Sequence, residues 1–238
     1  MKNKLTILAE EEDFLIVDKP AGMLSIPDRY DPDKPHLLNS RLLAPRDLLI
    51  VHRLDKFSSG VMILAKNPTS HASFSELFAT RKIAKTYHAL VDGSPQRERW
   101  TATHAIGRDP HTPGRMKVDR RGKASHTEFV LLENYGIASL VSASPVTGRT
   151  HQIRVHLQHD GHPLIVDPQY GKRKELLLSE YKRKYRRSGE AIERPILSRT
   201  PLHAAQISFA YKGKQYSYES PLPKDMRAVI HQLKKLTS

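Results

Sequence analysis

Short runs of apolar and β-branched residues, each closed by a glycine or proline turn, constrain this 238-residue chain more than any other feature. Phe14 to Lys19 (FLIVDK) stops at Pro20-Ala21-Gly22, and Gly60 to Lys66 (GVMILAK) has the unbroken apolar character of a strand buried on both faces. Thr86 to Val91 returns to β character and ends at Asp92-Gly93. Thr127 to Leu132 and Ile137 to Ala143 flank Glu133-Asn134-Tyr135-Gly136, while Ile207 to Tyr211 and Gln215 to Glu219 flank Lys212-Gly213-Lys214, and both pairs have the spacing of hairpins. Helical signals are fewer. Asn67-Pro68 supplies an N-cap and a first-turn proline, with Phe74, Leu77, Phe78 and Arg81 expected on one helical face. Thr150 to His159 reads as a helix closed by Gly161, and Met226, Val229, Ile230 and Leu233 mark an amphipathic helix at the end of the chain. Strands outnumber helices without alternating strictly with them, so the expected class is α+β, a mixed and mainly antiparallel central sheet with flanking helices. No internal repeat and no flexible linker divides the sequence, so a single domain over residues 1–238 is expected.

The charge is uneven along this framework. Lys and Arg number 39 against 25 Asp and Glu, a net charge of +14 that predicts a polyanionic partner. Residues 100–123 carry six basic against two acidic residues and residues 172–187 carry eight against two, so two segments hold most of the excess. One such run is often only a solvated face; two in one chain favour nucleic acid. Residues 100–122 show little hydrophobic periodicity and read as a long loop, whereas Leu176, Leu177, Leu178, Tyr181 and Tyr185 are expected to give the second segment a short helix. Cysteine is absent, which excludes disulfides, thiolate metal sites and cysteine nucleophiles and fits a reducing compartment. The N-terminal MKNKLTILAEEED has the pattern of neither a signal peptide nor a membrane span, and no membrane association is expected.

Two segments could carry chemistry. In Val51 to Gly60 (VHRLDKFSSG), Asp55 lies between Arg53 and Lys56, and positive charge on both sides favours the carboxylate. Such an aspartate is either a salt-bridged loop residue or a positioned carboxylate able to act as nucleophile or general base. In Pro145 to Leu157 (PVTGRTHQIRVHL), Thr147-Gly148 makes a turn, Thr150 is the expected N-cap, and Arg154 adjoins the face shared by Ile153 and Leu157. An arginine at the edge of a core needs an anionic partner, either in a structural ion pair or in a catalytic carboxylate. The histidines do not make a convincing metal site: His151 and His156 are five residues apart, no HExxH occurs and no cysteine could complete a site, although His156 and His159 share a helical face. No G-x-S-x-G elbow and no glycine-rich phosphate loop is present, so nothing in the residues asks for a nucleotide cofactor.

Taken in order, His52-Arg53-Leu54-Asp55 with Ser59-Gly60, Lys85 to Gly93 (KTYHALVDG), Thr147 to His156 (TGRTHQIRVH) and Gly161-His162-Pro163 with Asp167 to Gly171 resemble the RluA family of pseudouridine synthases. Val17 to Met23 (VDKPAGM) and Leu202-His203-Ala204 extend the resemblance over most of residues 13–223. The resemblance implies the pseudouridine synthase fold and the isomerisation of uridine in ribosomal or transfer RNA. It implies Asp55 as the catalytic aspartate, Tyr87 as the ring against the target uracil, and Arg154 as the ion-pair partner of Asp55. Arg53 would help displace the target nucleotide, and Leu202 would pack under the base. From the residues alone Tyr87 is equally a strand aromatic filling the core and Arg53 a cation that positions the backbone. The reaction implied breaks the glycosidic bond, turns the uracil and reforms a carbon–carbon bond, with Asp55 either attacking or deprotonating the ribose. The base must first leave its stack. Ser58 stands where relatives commonly carry threonine, and no S4-type RNA-binding domain is expected ahead of the core that begins near Asp13. Arg115, Lys117, Arg120 and Arg121 in the first basic segment, with Lys182, Arg183, Lys184, Arg186 and Arg187 in the second, are expected to grip RNA instead. A cytoplasmic monomer is the default expectation.

Overall fold

The computed structural model describes residues 4–181 and 193–237. In chain order the elements are β1 (Thr6–Glu10), β2 (Phe14–Lys19), β3 (Leu49–Ile50), β4 (Ser59–Ala65), α1 (Pro68–Ala79), β5 (Ala84–Asp92), β6 (Arg99–Ala102), β7 (Ile106–Arg108), β8 (Met116–Val118), β9 (Thr127–Asn134), β10 (Ala138–Pro145), α2 (Gln152–His159), a 3-10 turn (Leu178–Glu180), β11 (Leu202–Tyr211), β12 (Lys214–Glu219) and α3 (Lys224–Thr237). They gather into two compact units, Met1–Tyr87 with His203–Pro221 and His88–Leu202 with Leu222–Ser238. β5 and β11 each straddle the division. The expected α+β class holds, with antiparallel pairings predominating and one parallel pairing, β4 with β11.

In the first unit β1, β2 and β4 run antiparallel, β4 pairs in parallel with β11, and β12 continues antiparallel from β11. β2 and β4 are buried at almost every position because both sheet faces are covered. Phe14 and Ile16 of β2 join Val61, Ile63 and Ala65 of β4 on one face, where Phe74 of α1 meets Phe14 edge-on with ring centroids 5.3 Å apart. Leu15 and Val17 join Met62 and Leu64 on the other, under Leu37, Leu43, Leu48 and Leu54. Two cores on one sheet are what an unbroken GVMILA run requires, since alternate side chains point to opposite faces.

Local rules place α1 where the sequence puts it. Asn67 accepts from the Ser70 amide at 2.8 Å, the Ser70 hydroxyl answers toward the Asn67 backbone, and Pro68 occupies the first helical position. The helix ends at Ala79, two residues short of the expected face. Arg81 lies beyond it with φ 60°, in the left-handed region, so it does not share the face of Phe74, Leu77 and Phe78.

The second unit carries the order β5-β10-β9-β6, with β9 and β10 forming the expected hairpin. Its core joins Leu90, Leu140, Ile165, Val166, Leu176 and Leu197 to Met226, Val229 and Leu233 of α3. Residues 100–122 are not the irregular loop that their weak periodicity implied. β6 pairs with β9, and β7 pairs with β8 in a separate two-stranded ribbon whose three-residue strands are too short to show a period. In 172–187 the described residues form only the short 3-10 turn, with Leu176 bridged to Leu197. Lys182, Arg183, Lys184, Arg186 and Arg187 lie outside the described residues.

Candidate active site

Asp55 lies in the first unit on an irregular segment leading into β4, half-buried between the buried Leu54 and the exposed Lys56. Irregular backbone needs partners for its polar groups, and here buried side chains supply them. The Ser25 hydroxyl donates to the Leu54 carbonyl at 2.8 Å and accepts the Leu54 amide at 3.1 Å, bracketing the residue before Asp55. Lys19 has no exposed surface; its ammonium donates to the carbonyls of Met23 at 2.9 Å, Pro20 at 3.0 Å and Lys56 at 3.4 Å. The Gly22 amide reaches the Lys56 carbonyl at 2.7 Å, and the Ser58 amide turns back to the Asp55 carbonyl at 3.1 Å. The KPAG turn after β2 therefore clasps the Asp55 segment by its main chain, which explains why those two stretches of sequence belong together.

The start of the segment is fixed by His52. Its Nε2 accepts the Ile63 amide of β4 at 2.9 Å and its ring stacks on Phe78 at 4.5 Å. Burial, and after it the Lys85 cation, push the imidazole down to about 3, so His52 is a neutral structural acceptor. The end is fixed by Gly60, whose φ of 117° suits glycine and whose Cα faces the Ala204 backbone so closely that a Cβ would collide with it. Beside it the Ser59 hydroxyl donates to His203 Nδ1 at 3.0 Å, because His203 Nε2–H is committed to the Ser220 carbonyl at 3.0 Å.

Tyr87, on β5, packs against the Leu54 and Leu64 cluster beneath this segment. Burial, and then the negative charge of Asp55, push its hydroxyl well above the ordinary tyrosine value, so the ring stays a neutral phenol. The fold thus brings Asp55 and Tyr87 together, a carboxylate beside a half-buried aromatic ring. Arg53 is exposed on the same segment. Such an arrangement can hold a flat ring against Tyr87 and present the carboxylate to what the ring is attached to.

Arg154 belongs to the second unit, on α2, and is 6% exposed. Its Nε and Nη2 grip the two oxygens of Asp167 at 2.7 and 2.8 Å, Nη2 also donates to Gln169 Oε1 at 3.1 Å, and the guanidinium lies 4.7 Å over the Tyr170 ring. Fork-to-fork geometry makes this the strong form of the contact. Asp167 is wholly buried and also accepts the amides of Gln169 and Tyr170. Sequence reading missed this partnership, although Asp167 to Gly171 was already one of the resembling segments. The turn before α2 is as tightly wired. Gln152 Oε1 accepts from the Thr147 hydroxyl and the Arg149 amide, and its Nε2 donates to the His126 carbonyl and Thr127 hydroxyl. The expected N-cap was Thr150. The residue before the helix is instead His151, at φ 56°, with its Nδ1 2.8 Å from the Tyr170 hydroxyl. His156 uses both ring nitrogens on Ser125, Thr127 and the His104 carbonyl, and burial lowers its affinity for a proton. Leu202, 5% exposed, opens β11 in the same unit.

The basic residues of the β7–β8 ribbon divide by role. Arg120 and Arg121 are exposed beyond β8, whereas Arg115 is half-buried, 3.8 Å from Asp109 and 5.5 Å over the Tyr170 ring. Lys117 is half-buried within β8.

Comparison with known proteins gives these features a context. A family model described as RNA pseudouridylate synthase matches residues 13–159. An uncharacterized RNA pseudouridine synthase of Chloroflexus aurantiacus is 36% identical over 231 residues, spanning 93% of this chain and 67% of that protein. The ribosomal large subunit pseudouridine synthase C of Escherichia coli is 33% identical over 234 residues, spanning 96% of this chain and 70% of that protein. Among solved structures, human RNA pseudouridylate synthase domain containing 1 superposes with a TM-score of 0.69 at 28% identity, covering 97% of this chain and 95% of its own.

Proposed function

Because the chain belongs to the RNA pseudouridylate synthase family and is an enzyme that isomerises uridine in RNA, we propose that Asp55 is its catalytic group and ribosomal RNA its substrate. The observation that carries the assignment is the Asp55 segment, a carboxylate clasped by Ser25 and Lys19 beside the Tyr87 ring. The name of the relative called ribosomal large subunit pseudouridine synthase C supports ribosomal RNA over transfer RNA. The family match runs through residues of both units, which supports a single catalytic domain.

In this reading the uracil of a flipped nucleotide rests on Tyr87 while Asp55, as nucleophile or base, works on its ribose. The bond from the sugar to N1 breaks, the uracil turns, and a bond to its C5 forms, releasing the C5 hydrogen. Arg53, exposed beside Asp55, meets the displaced nucleotide. Arg154, oriented by Asp167, serves as the countercharge for the catalytic carboxylate, which is pre-organisation and not bond-making. Leu202 gives the base an apolar floor, and Arg115, Lys117, Arg120 and Arg121 hold phosphates. The reaction implied by the family requires neither metal nor organic cofactor. Among the described residues no helix is long and apolar enough to cross a membrane; the cysteine-free composition and RNA substrate support a cytoplasmic enzyme.

The test is release of tritium from ribosomal RNA transcribed with C5-tritiated uridine, with a chelator present. The wild-type chain releases it, and Asp55→Asn lowers the rate by about 10²- to 10⁴-fold. Equal rates would remove Asp55 from the chemistry, and RNA binding without release would describe a silent relative.

A further inference from the structure

The most exposed aromatic side chain of the described residues is not at the site. Tyr30 is 89% exposed at the tip of the loop joining Leu24 to Leu37 in the first unit. Water does not favour a ring so exposed, yet the loop is built to keep it there. Its base is closed by the Leu24 amide on the Pro35 carbonyl at 3.3 Å and the Leu37 amide on the Leu24 carbonyl at 3.0 Å. Its tip is shaped by Asp28, whose Oδ1 accepts the amides of Tyr30 at 3.0 Å and Asp31 at 3.2 Å, while Lys34 pairs with Asp28 at 3.5 Å. The Tyr30 amide, followed by the Lys34 charge, holds the Asp28 carboxyl below its ordinary value. Asn39 ties the return strand through the His36 amide at 2.8 Å and the Lys34 carbonyl at 3.2 Å. Compact loops with closed ends that display one side chain are frequently functional.

The root of this loop is Ser25, the residue whose hydroxyl brackets Leu54 ahead of Asp55. Tyr30 is five residues from it, so the two Cα atoms stand within roughly 18 Å of each other along the chain. Arg29 lies over the Tyr30 ring at 5.9 Å from its centroid, adding a second flat group to the first. The local charge narrows what the pair takes. Asp28, Asp31 and Asp33 outnumber Arg29 and Lys34, so the loop is a poor grip for phosphates and a good support for the face of a base, which carries no charge.

We propose that Tyr30, with Arg29, is a stacking finger that binds an unpaired nucleobase of the RNA flanking the target uridine. The proposal rests on the RNA substrate assigned above. Stacking is tolerant of which base it meets and nearly indifferent to salt, which separates this contact from that of the basic ribbon.

The measurement is fluorescence anisotropy of an end-labelled, mixed-sequence single-stranded RNA containing uridine, titrated with the full chain across a series of potassium chloride concentrations. Tyr30→Ala weakens binding by about 5- to 150-fold with an unchanged slope of affinity against salt. Tyr30→Phe and Tyr30→Trp retain the wild-type affinity, and Arg29→Ala costs about two- to fivefold. Because Tyr30 is exposed, the variants keep the wild-type unfolding midpoint. Equal affinity of wild type and Tyr30→Ala would overturn the finger while leaving the enzyme assignment intact, provided tritium release persists. A loss accompanied by a shallower salt slope would overturn it too, since the loop would then be meeting phosphates, as would a Tyr30→Ala loss seen only against a protein partner. A wild-type chain that neither binds nor modifies RNA would overturn both.

Discussion

In the first unit Asp55 rides on a segment gripped by its main chain, with Lys19 and Ser25 holding carbonyls at 2.8 to 3.4 Å, whereas in the second unit Arg154 is gripped by its own guanidinium through Asp167. A residue held through its backbone can change its side chain without unseating the loop, so stability and chemistry are separable there. A residue held through its side chain is part of the frame, and changing it or its partner disturbs both. The two arrangements also differ in what surrounds them. Apolar clusters lie on both faces of β4 beneath the Asp55 segment, while a polar network of Thr147, Gln152, Thr127 and His156 runs beside Arg154.

The sharpest way to break this comparison is Asp167→Asn. It takes the charge from the buried fork that Arg154 grips, and unfolding in urea is expected to show a loss of roughly 3–5 kcal/mol; a loss below 1 kcal/mol would mean that the side-chain frame is no more than decoration. Next is Gly60→Ala, in which the new methyl meets the Ala204 backbone at an unfavourable φ. Destabilisation of roughly 2–4 kcal/mol is expected by the same measurement, with the loss of tritium release tracking the fraction unfolded.

A third test uses pH. In the fold His52 is held at about 3 against an ordinary 6.5, so between those values only the unfolded chain takes up the proton. Its contribution is whole above pH 6.5 and declines as pH falls, by as much as about 1 kcal/mol per unit. Urea midpoints at pH 5 and pH 7 check the sign, and His52→Gln is expected to flatten part of the slope, with the remainder owed to groups such as His156, which is shifted in the same direction. The smallest effect belongs to the surface. Replacing Arg120 and Arg121 by Ala is expected to lower the slope of log affinity for RNA against log salt by about two in all, without moving the unfolding midpoint.

The parts of the fold legible in the sequence are those that local rules decide. Asn67-Pro68 starts α1, Lys212-Gly213 turns β11 into β12 with both residues at positive φ, and Gly161 closes α2 with φ 84°. The parts that were not legible depend on distant partners. β7 and β8 have too few residues for a period and persist because Ile106 packs with Val155 and Tyr170. His151 rather than Thr150 precedes α2, since Tyr170 offers its ring nitrogen a hydroxyl nineteen residues away. Asp55 and Tyr87 were legible as members of a motif. The clasp that fixes Asp55 was not, because nothing local to Lys19 says that its ammonium will be buried among carbonyls.

The division of the chain also bears on the order in which it is made. The first unit needs His203–Pro221, and the 115 residues of His88–Leu202 are synthesised before them. At ribosomal speeds that interval lasts roughly 6 to 23 s. Throughout it β4, whose seven residues are all buried in the finished fold, has no β11 to pair with. Until residue 203 is made, the Ser59-Gly60 end of β4 therefore waits for the strand that pairs with it in the finished fold.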